Sequence, residues 1–322
     1  MTSIAGVNNW RLTVRRETDS VTILRAATCD ERAALPDELF GLRVTALGDH
    51  ALASDARPAE GEEVVITGAP SAGAWDNRAL RELTLPNALA AVGDYALMNC
   101  RTLKTLRLAD RSIAWGTGAL MNCRALDTFV LTREDGADHG AAAYLANELS
   151  GELDISVLEA GKLVARLIIP EYYETYEENS PAHHFDYKVY GAGQPYHHAF
   201  RDRRLNLYDY DALWPKLLAG DHEPDTALRL AWWRVCYPGQ LSADAAARYW
   251  DYLSAHAAEA LRFLLSQCDT AMLATFLQRV HCDAETLRGA SALARENRDT
   301  AATAVLLEEL HRRNGAGKTF DL

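Results

Sequence analysis

The chain has 322 residues and a mass of 35.5 kDa, about twice the size of an average domain, so we expect more than one compact unit. Its composition, with 48% apolar and 24% charged residues, is typical of a soluble globular protein and excludes a fibrous or disordered chain. The formal net charge of -12 opposes binding to nucleic acid or to anionic membranes. If the chain has a macromolecular partner, we therefore expect another protein.

The first ten residues show no positively charged region followed by an apolar stretch, and no window reaches the roughly 18 apolar residues of a membrane span. We therefore expect a cytoplasmic protein. The six cysteines form no C-x-x-C pair, so their spacing indicates neither a zinc ribbon nor a dithiol redox site. No complete glycine motif for phosphate binding is found either, and we expect no cofactor.

The strongest signal is an internal repeat of twenty-three residues. The block that begins Leu80-x-x-Leu83-x-Leu85 recurs from Leu103 and again from Leu126. A second block, Ala96 to Arg101, recurs with the same offset at Ala119 to Arg124. Three copies in register predict a stack of similar coils, each contributing one strand to a parallel ladder.

Stacked coils would align the repeated leucines in buried columns. We predict one column of Leu83, Leu106 and Phe129 and another of Leu85, Leu108 and Leu131. Gly48, Gly93 and Gly116 fit tight bends in which a left-handed backbone favours glycine. An earlier copy, Leu47 to Leu52, lies 45 residues before Val92 to Leu97, one short of two periods. This offset predicts an irregular coil between the two copies, with a loop around Ala69 to Asp76.

The pattern from Leu85 to Leu106, with Val92-Gly93-Asp94-Tyr95-Ala96-Leu97 at its centre, resembles the bacterial leucine-rich repeats of the BspA type. The opening segment, Val21 to Asp49, is similar to the irregular first coil of that family. The resemblance covers about residues 10 to 135. It implies a leucine-rich repeat solenoid, a fold that serves protein binding, adhesion and architecture.

Cys100 and Cys123 lie one period apart, so stacked coils would bring them close enough for a disulfide. The family places a cysteine here as a small apolar filler, and a cytosolic chain keeps it reduced. We therefore predict two packed thiols.

The leucine pattern does not continue into the middle of the chain. Ile155 to Leu158 and Leu163 to Ile169 predict a β-hairpin around a glycine-containing turn. Ten aromatic residues follow between 171 and 210, and we expect their rings to pack one layer on another.

Two histidine pairs in this segment leave an alternative open. His183, His184, His197 and His198, with Asp186 and Asp202 nearby, are residue types that bind zinc or non-haem iron. Neighbouring residues on a strand point to opposite sides, so at most one histidine of each pair would face a common ion. A metal-dependent enzyme with a site in residues 183 to 202 is thus the alternative to a protein without catalysis.

From Asp211 onward, helical periodicity with capping residues predicts successive antiparallel helices. Leu287 to Ala294 and Ala301 to Glu308 look similar to the helical part of an ankyrin repeat, which implies a stack of α-hairpins.

Together these features predict an α+β chain in three parts. A leucine-rich repeat solenoid (1–135) precedes a mixed β and aromatic-rich connector (136–210) and a helical repeat-like domain (211–316). The predicted function is protein-protein interaction or scaffolding, without catalysis; an exported surface adhesin is a further alternative. The candidate binding residues are those expected to point outward from the strands, with one tryptophan on the irregular loop: Trp75, Thr84, Arg107, Thr128 and Val130.

Overall fold

The computed structural model describes residues 2–54, 58–68, 73–179 and 184–315, without the side chains of residues 179, 184, 185, 314 and 315. The chain divides into two compact units, Met1–His222 and Glu223–Leu322. The boundaries expected after residues 135 and 210 both lie inside the first unit.

The first unit is built mainly from two β-sheets. Their strands are β1 (Thr2–Ala5), β2 (Trp10–Arg16), β3 (Ser20–Ala27), β4 (Arg32–Ala34), β5 (Glu38–Leu39), β6 (Leu42–Leu47), β7 (Glu62–Thr67), β8 (Glu82–Thr84), β9 (Ala91–Val92), β10 (Thr105–Ala109), β11 (Ala114–Trp115), β12 (Thr128–Arg133), β13 (Leu153–Glu159) and β14 (Lys162–Ile169). Helix α1 (Ala141–Glu148) lies between β12 and β13.

A six-stranded sheet has the order β14-β13-β12-β10-β8-β4, parallel throughout except for β14. Leu83 is the ladder partner of Leu106, and Leu106 is the partner of Phe129. All three are completely buried, and Leu85, Leu108 and Leu131 are buried as well. The two predicted leucine columns are confirmed.

The second sheet has the order β1-β7-β2-β3-β6-β9-β11, with β5 paired to β6. Strand β6 pairs directly with β9, so that Leu47 is the partner of Val92. No further coil is therefore stacked between these two copies in the sheet, and residues 69 to 72 of the loop expected around Ala69 to Asp76 lie outside the described residues. The extra residues instead contain β7, which joins the sheet between β1 and β2.

The three stacked glycines serve close approach rather than a left-handed backbone, which corrects their predicted role. A Cβ on Gly93 would lie 2.5 Å from the backbone of Gly48 and Asp49, and one on Gly116 would lie 2.5 Å from that of Gly93 and Asp94. The left-handed residues come two positions later, at His50, Tyr95 and Gly118.

The carboxylates that follow Gly48 and Gly93 each link one turn to the next. Asp49 Oδ1 accepts the backbone N–H of Asp94 at 2.9 Å, and Asp94 Oδ1 accepts that of Thr117 at 2.7 Å. The glycine lets the turns approach, and the aspartate uses a backbone donor that the bend leaves without a ladder partner.

Cys100 and Cys123 are buried thiols, as predicted. Their sulfurs lie 3.4 Å from the carbonyl oxygen of Leu52 and 3.1 Å from that of Leu97, respectively. Burial raises the pKa of the Cys123 thiol to about 12, which keeps it protonated and unreactive.

The predicted hairpin is confirmed as β13 and β14, joined through Ala160 and Gly161, which both have positive φ angles. Two positive φ angles match the hairpin turns whose twist suits the flanking strands. Because β13 also pairs with β12, this hairpin extends the parallel ladder by one strand and ends it with an antiparallel one.

The remainder of the first unit consists of short elements. They are β15 (Tyr173–Asn179), β16 (His184–Tyr190), α2 (Gln194–His197), β17 (Phe200–Arg201), β18 (Arg204–Leu205), α3 (Leu207–Ala212) and α4 (Trp214–Ala219). Strands β15 and β16 form a separate two-stranded sheet.

The second unit is helical. Its helices are α5 (Thr226–Cys236), α6 (Ala243–Ala255), α7 (Ala257–Ser266), α8 (Thr270–Arg279), α9 (Ala284–Glu296) and α10 (Thr300–Gly315). Ser242 caps α6 and Asp283 caps α9 through backbone N–H groups three residues later. Trp232 and Trp233 are both buried; they contact the rings of Phe276 and Phe263, respectively. Among the described residues, no helix is long and apolar enough to cross a membrane.

Gly93→Ala should destabilise the first unit by about 1 to 3 kcal/mol, because its new methyl group would meet backbone that cannot rotate away. Gly151→Ala is the matched control, since a Cβ there has no atom within 4 Å. Urea unfolding of both variants measures the difference. Equal stability of the two would contradict the proposed close contact between turns.

Candidate protein-binding surface

The outward side of the six-stranded sheet is the surface that the repeat displays. Leu83, Leu106 and Phe129 point inward, so the residues on either side of them point outward. We call this set the strand face. One row of it runs Glu82, Thr105, Thr128 and Asp154, and the adjacent row runs Thr84, Arg107, Val130 and Ser156.

Four of the five candidate residues are brought together on this face. Thr84, Arg107 and Val130 are consecutive ladder partners, and Thr128 lies in the neighbouring row. Thr84, Arg107 and Thr128 are partly exposed, as expected for contact residues. Val130 is only 9% exposed, which corrects its predicted exposure.

Two arginine-carboxylate pairs on the strand face have hydrogen-bond distances. Arg107 Nε donates to Glu82 Oε1 at 2.5 Å. Toward the β14 edge of the sheet, Arg166 binds both carboxylate oxygens of Asp154, at 2.8 and 2.7 Å. Such partly exposed pairs add little stability, but they hold long side chains in fixed positions. The face therefore presents ordered charged groups beside Thr84, Thr105 and Thr128.

Trp75, the fifth candidate, is not part of this face. Its ring lies under the guanidinium of Arg11, 4.6 Å from the ring centroid to Cζ. Arg11 belongs to β2 in the other sheet. That contact leaves the ring half-buried, so the position of Trp75 is explained without a partner protein.

The histidine-rich segment does not assemble a common site among the residues seen here. His183 lies outside the described residues, and His184 is described only through its backbone in β16. His198 is exposed, whereas His197 is buried. Where side chains are described, no group of three His, Cys, Asp or Glu residues could hold a metal ion.

Both ring nitrogens of His197 are engaged by the protein itself. Nδ1 lies 2.7 Å from the carbonyl oxygen of Ala146, and Nε2 lies 2.9 Å from that of Pro170. Burial lowers the pKa of His197, although these two carbonyl contacts act to raise it. The residue thus ties α1 and the end of β14 together, and neither nitrogen points to a cavity where a ligand could bind.

A buried carboxylate that sequence reasoning missed closes the end of the repeat. Asp110 accepts Arg133 Nε at 2.8 Å and the backbone N–H of Ala141 at 3.2 Å, at the start of α1. Arg133 also pairs with Asp138 at 3.2 Å. Arg133 follows Asp110 by one repeat length, and that spacing was the available signal. A cleft of about 390 Å³ lies beside this network, lined in part by Arg111, Ser112 and His139.

The tyrosines of the middle segment are less uniformly packed than expected. Tyr196 and Tyr210 are buried, with their rings 5.0 Å apart. Tyr173, Tyr176 and Tyr187, in contrast, are exposed on the β15-β16 hairpin. The expectation that the rings pack one layer on another is wrong for these three, whose two-stranded sheet has no third strand among the described residues.

Comparison with known proteins finds no matching family model and no similar curated protein. Among solved structures, a leucine-rich repeat protein of T. pallidum matches 47% of this chain at 14% identity and a TM-score of 0.26. A leucine rich cell surface protein from Faecalibacterium prausnitzii A2-165 also matches 47% at 16% identity and a TM-score of 0.27. The chain covers 62% and 42% of these two proteins, respectively. Likenesses at this level do not establish a family.

The lowered pKa of His197 predicts an acid-sensitive contribution to stability. The unfolded chain, in which histidine has a pKa of about 6.5, binds the proton more readily than the folded chain does. The free energy of unfolding should therefore fall as the pH drops through about 6.5, and level off below the folded pKa. Replacing His197 by Gln should remove this part of the pH dependence.

Urea unfolding between pH 8 and pH 5 tests this, with His198→Gln as the control because His198 is exposed beside the buried ring. Wild type and His198→Gln should show the same slope of stability against pH. A wild-type protein that instead gains stability on acidification, relative to His197→Gln, would mean that the two carbonyls hold an imidazolium.

Proposed function

We propose that this chain is a non-catalytic protein-binding or scaffold module whose residues 1–135 form a leucine-rich repeat solenoid of the BspA type. The three copies of the leucine block and their ladder register support this assignment, since Leu83, Leu106 and Phe129 are direct partners. The helices of the second unit, with the ankyrin-like pattern in α9 and α10, fit a helical repeat as a separate part of the chain.

The observation that carries the proposal is the strand face. Thr84, Arg107 and Thr128 occupy neighbouring positions on three successive parallel strands, so their separation is fixed by the ladder. Stacked coils offer a broad, preformed surface without a deep pocket, which suits a protein partner better than a small molecule. Arginine is also enriched among the residues that dominate binding energy at protein interfaces.

Thr128→Lys should abolish or strongly weaken partner binding, because it places a long charged side chain at the centre of the strand face. Thr117→Lys is the matched control, since Thr117 is exposed in a turn away from the strands. Proteins captured from native lysate by the wild type can be identified by mass spectrometry, and each affinity is then measured with purified partner. Equal affinities of the two variants would contradict binding through this face.

The absence of catalysis is part of the proposal and has its own test. Elemental analysis of protein purified without chelators should show no zinc, iron or manganese in stoichiometric amount. One equivalent of any of these metals that is lost in His183→Ala or His198→Ala would instead favour the metal-dependent alternative at residues 183 to 202.

We also propose a cytoplasmic location. All six cysteines are described, and each is a thiol rather than half of a disulfide, which agrees with a reducing compartment. Detection of the chain outside the cell would instead favour the adhesin alternative.

A further inference from the structure

The β15-β16 hairpin exposes aromatic side chains on both of its faces. Tyr176 and Tyr187 are ladder partners, with 71% and 48% of their surfaces exposed and ring centroids 5.1 Å apart. On the opposite face, Tyr173 is 56% exposed and stacks on Tyr190 at 4.9 Å. Clustered exposed rings of this kind mark interaction sites more often than ordinary surface does.

The base of the hairpin is fixed rather than loose. The backbone N–H of Gly193 donates to the carbonyl of Glu171 at 3.0 Å, and that of Tyr172 donates to Ser150 at 2.9 Å. A Cβ at Gly193 would lie 2.0 Å from the carbonyl oxygen of Pro170, so the two strand ends are in close contact. The aromatic pairs are therefore held in place before any partner arrives, which reduces the entropy lost on binding.

The hairpin is strongly acidic. Between residues 173 and 190, Glu174, Glu177, Glu178 and Asp186 outnumber the single Lys188, which gives a formal net charge of -3. The carboxylates lie among the rings: Glu174 Oε1 accepts the Tyr187 hydroxyl at 2.5 Å. On the other face, Lys188 pairs with Glu177 at 2.7 Å. Rings interleaved with carboxylates attract cations and repel anionic partners such as nucleic acid.

The strands also offer backbone groups. In the two-stranded sheet, each strand has a second edge with no strand beside it among the described residues. An extended segment could pair with such an edge, and β15 is the more acidic strand of the two. Alternate side chains of that segment would then lie beside Tyr176 and Glu174 or beside Tyr173 and Glu177.

We propose that the β15-β16 hairpin is a docking site for an extended, arginine-rich segment of a partner protein, which pairs with the edge of β15. Its guanidinium groups stack on the exposed tyrosines and meet the carboxylates between them. This site is separate from the strand face, and the proposal does not depend on a solenoid or on binding at that face.

The test measures how the full chain binds a fluorescein-labelled ten-residue peptide of alternating arginine and threonine. Binding is monitored by fluorescence anisotropy at low and moderate salt. The wild type should bind this peptide and not a peptide in which glutamate replaces each arginine. Tyr176→Thr should weaken binding about threefold to fivefold, as expected for one exposed cation-π contact. Glu174→Gln should weaken it as well.

Matched controls separate the hairpin from general attraction to an acidic protein. Tyr208→Thr removes another exposed tyrosine, and Glu308→Gln removes another exposed carboxylate, both outside the hairpin. Neither control should change the affinity. Tyr173→Thr gives a second hairpin variant if Tyr176→Thr disturbs folding, which circular dichroism reports.

Three outcomes would overturn the proposal. The first is that the peptide does not bind the wild type. The second is equal binding by hairpin and control variants, which would reduce the effect to net charge. The third is a dimer in sedimentation that Tyr176→Thr dissociates while peptide binding is unchanged, which would make a second copy of this chain the occupant.

Discussion

The contact between successive turns is the constraint on which the first unit depends. At Gly93 and Gly116 the backbone of one turn lies so close to the turn before it that a single methyl group would not fit. Asp49 and Asp94 then fix the offset by accepting a backbone N–H from the following turn. Because the turns are held at this spacing, the leucines of neighbouring strands contact one another. The alternate residues of the same strands then point outward and form the strand face.

The same contact explains how the first unit tolerates a large irregularity. Leu47 and Val92 are partners although 45 residues separate them, because the intervening chain leaves the stack, forms β7 and returns. Strand β7 pairs with β2, whose Trp10 and Leu12 are buried. Strand β7 of this insertion is thus a member of the sheet, with Val64 completely buried.

Sequence periodicity was sufficient to predict features that repeat. Both leucine columns and the β13-β14 hairpin follow from spacing and turn chemistry. The packed thiols at Cys100 and Cys123 were expected from the family resemblance and the compartment, since spacing alone would also allow a disulfide. The helices from α5 to α10 could be predicted from their apolar period, and at α6 and α9 the capping residues agree with it.

Features that depend on contacts between residues distant in the sequence could not be predicted from it. The glycines were assigned to left-handed bends, whereas the left-handed positions are His50, Tyr95 and Gly118, and only stacking shows why. Trp75 binds Arg11, more than sixty positions earlier, and so leaves the predicted surface. His197 lies between two backbone carbonyls, a contact that no local sequence pattern indicates.

The antiparallel strand β14 has a consequence for how this architecture could change in length. Duplicating one coil between β8 and β12 would preserve every neighbour relation, since the new strand would meet the same partners on both sides. No such addition is available beyond β14, where chain direction reverses and the edge is anchored by the Tyr210 hydroxyl on the Ile168 carbonyl. Growth by tandem duplication is therefore confined to the interior of the ladder, and the terminal hairpin acts as its fixed boundary.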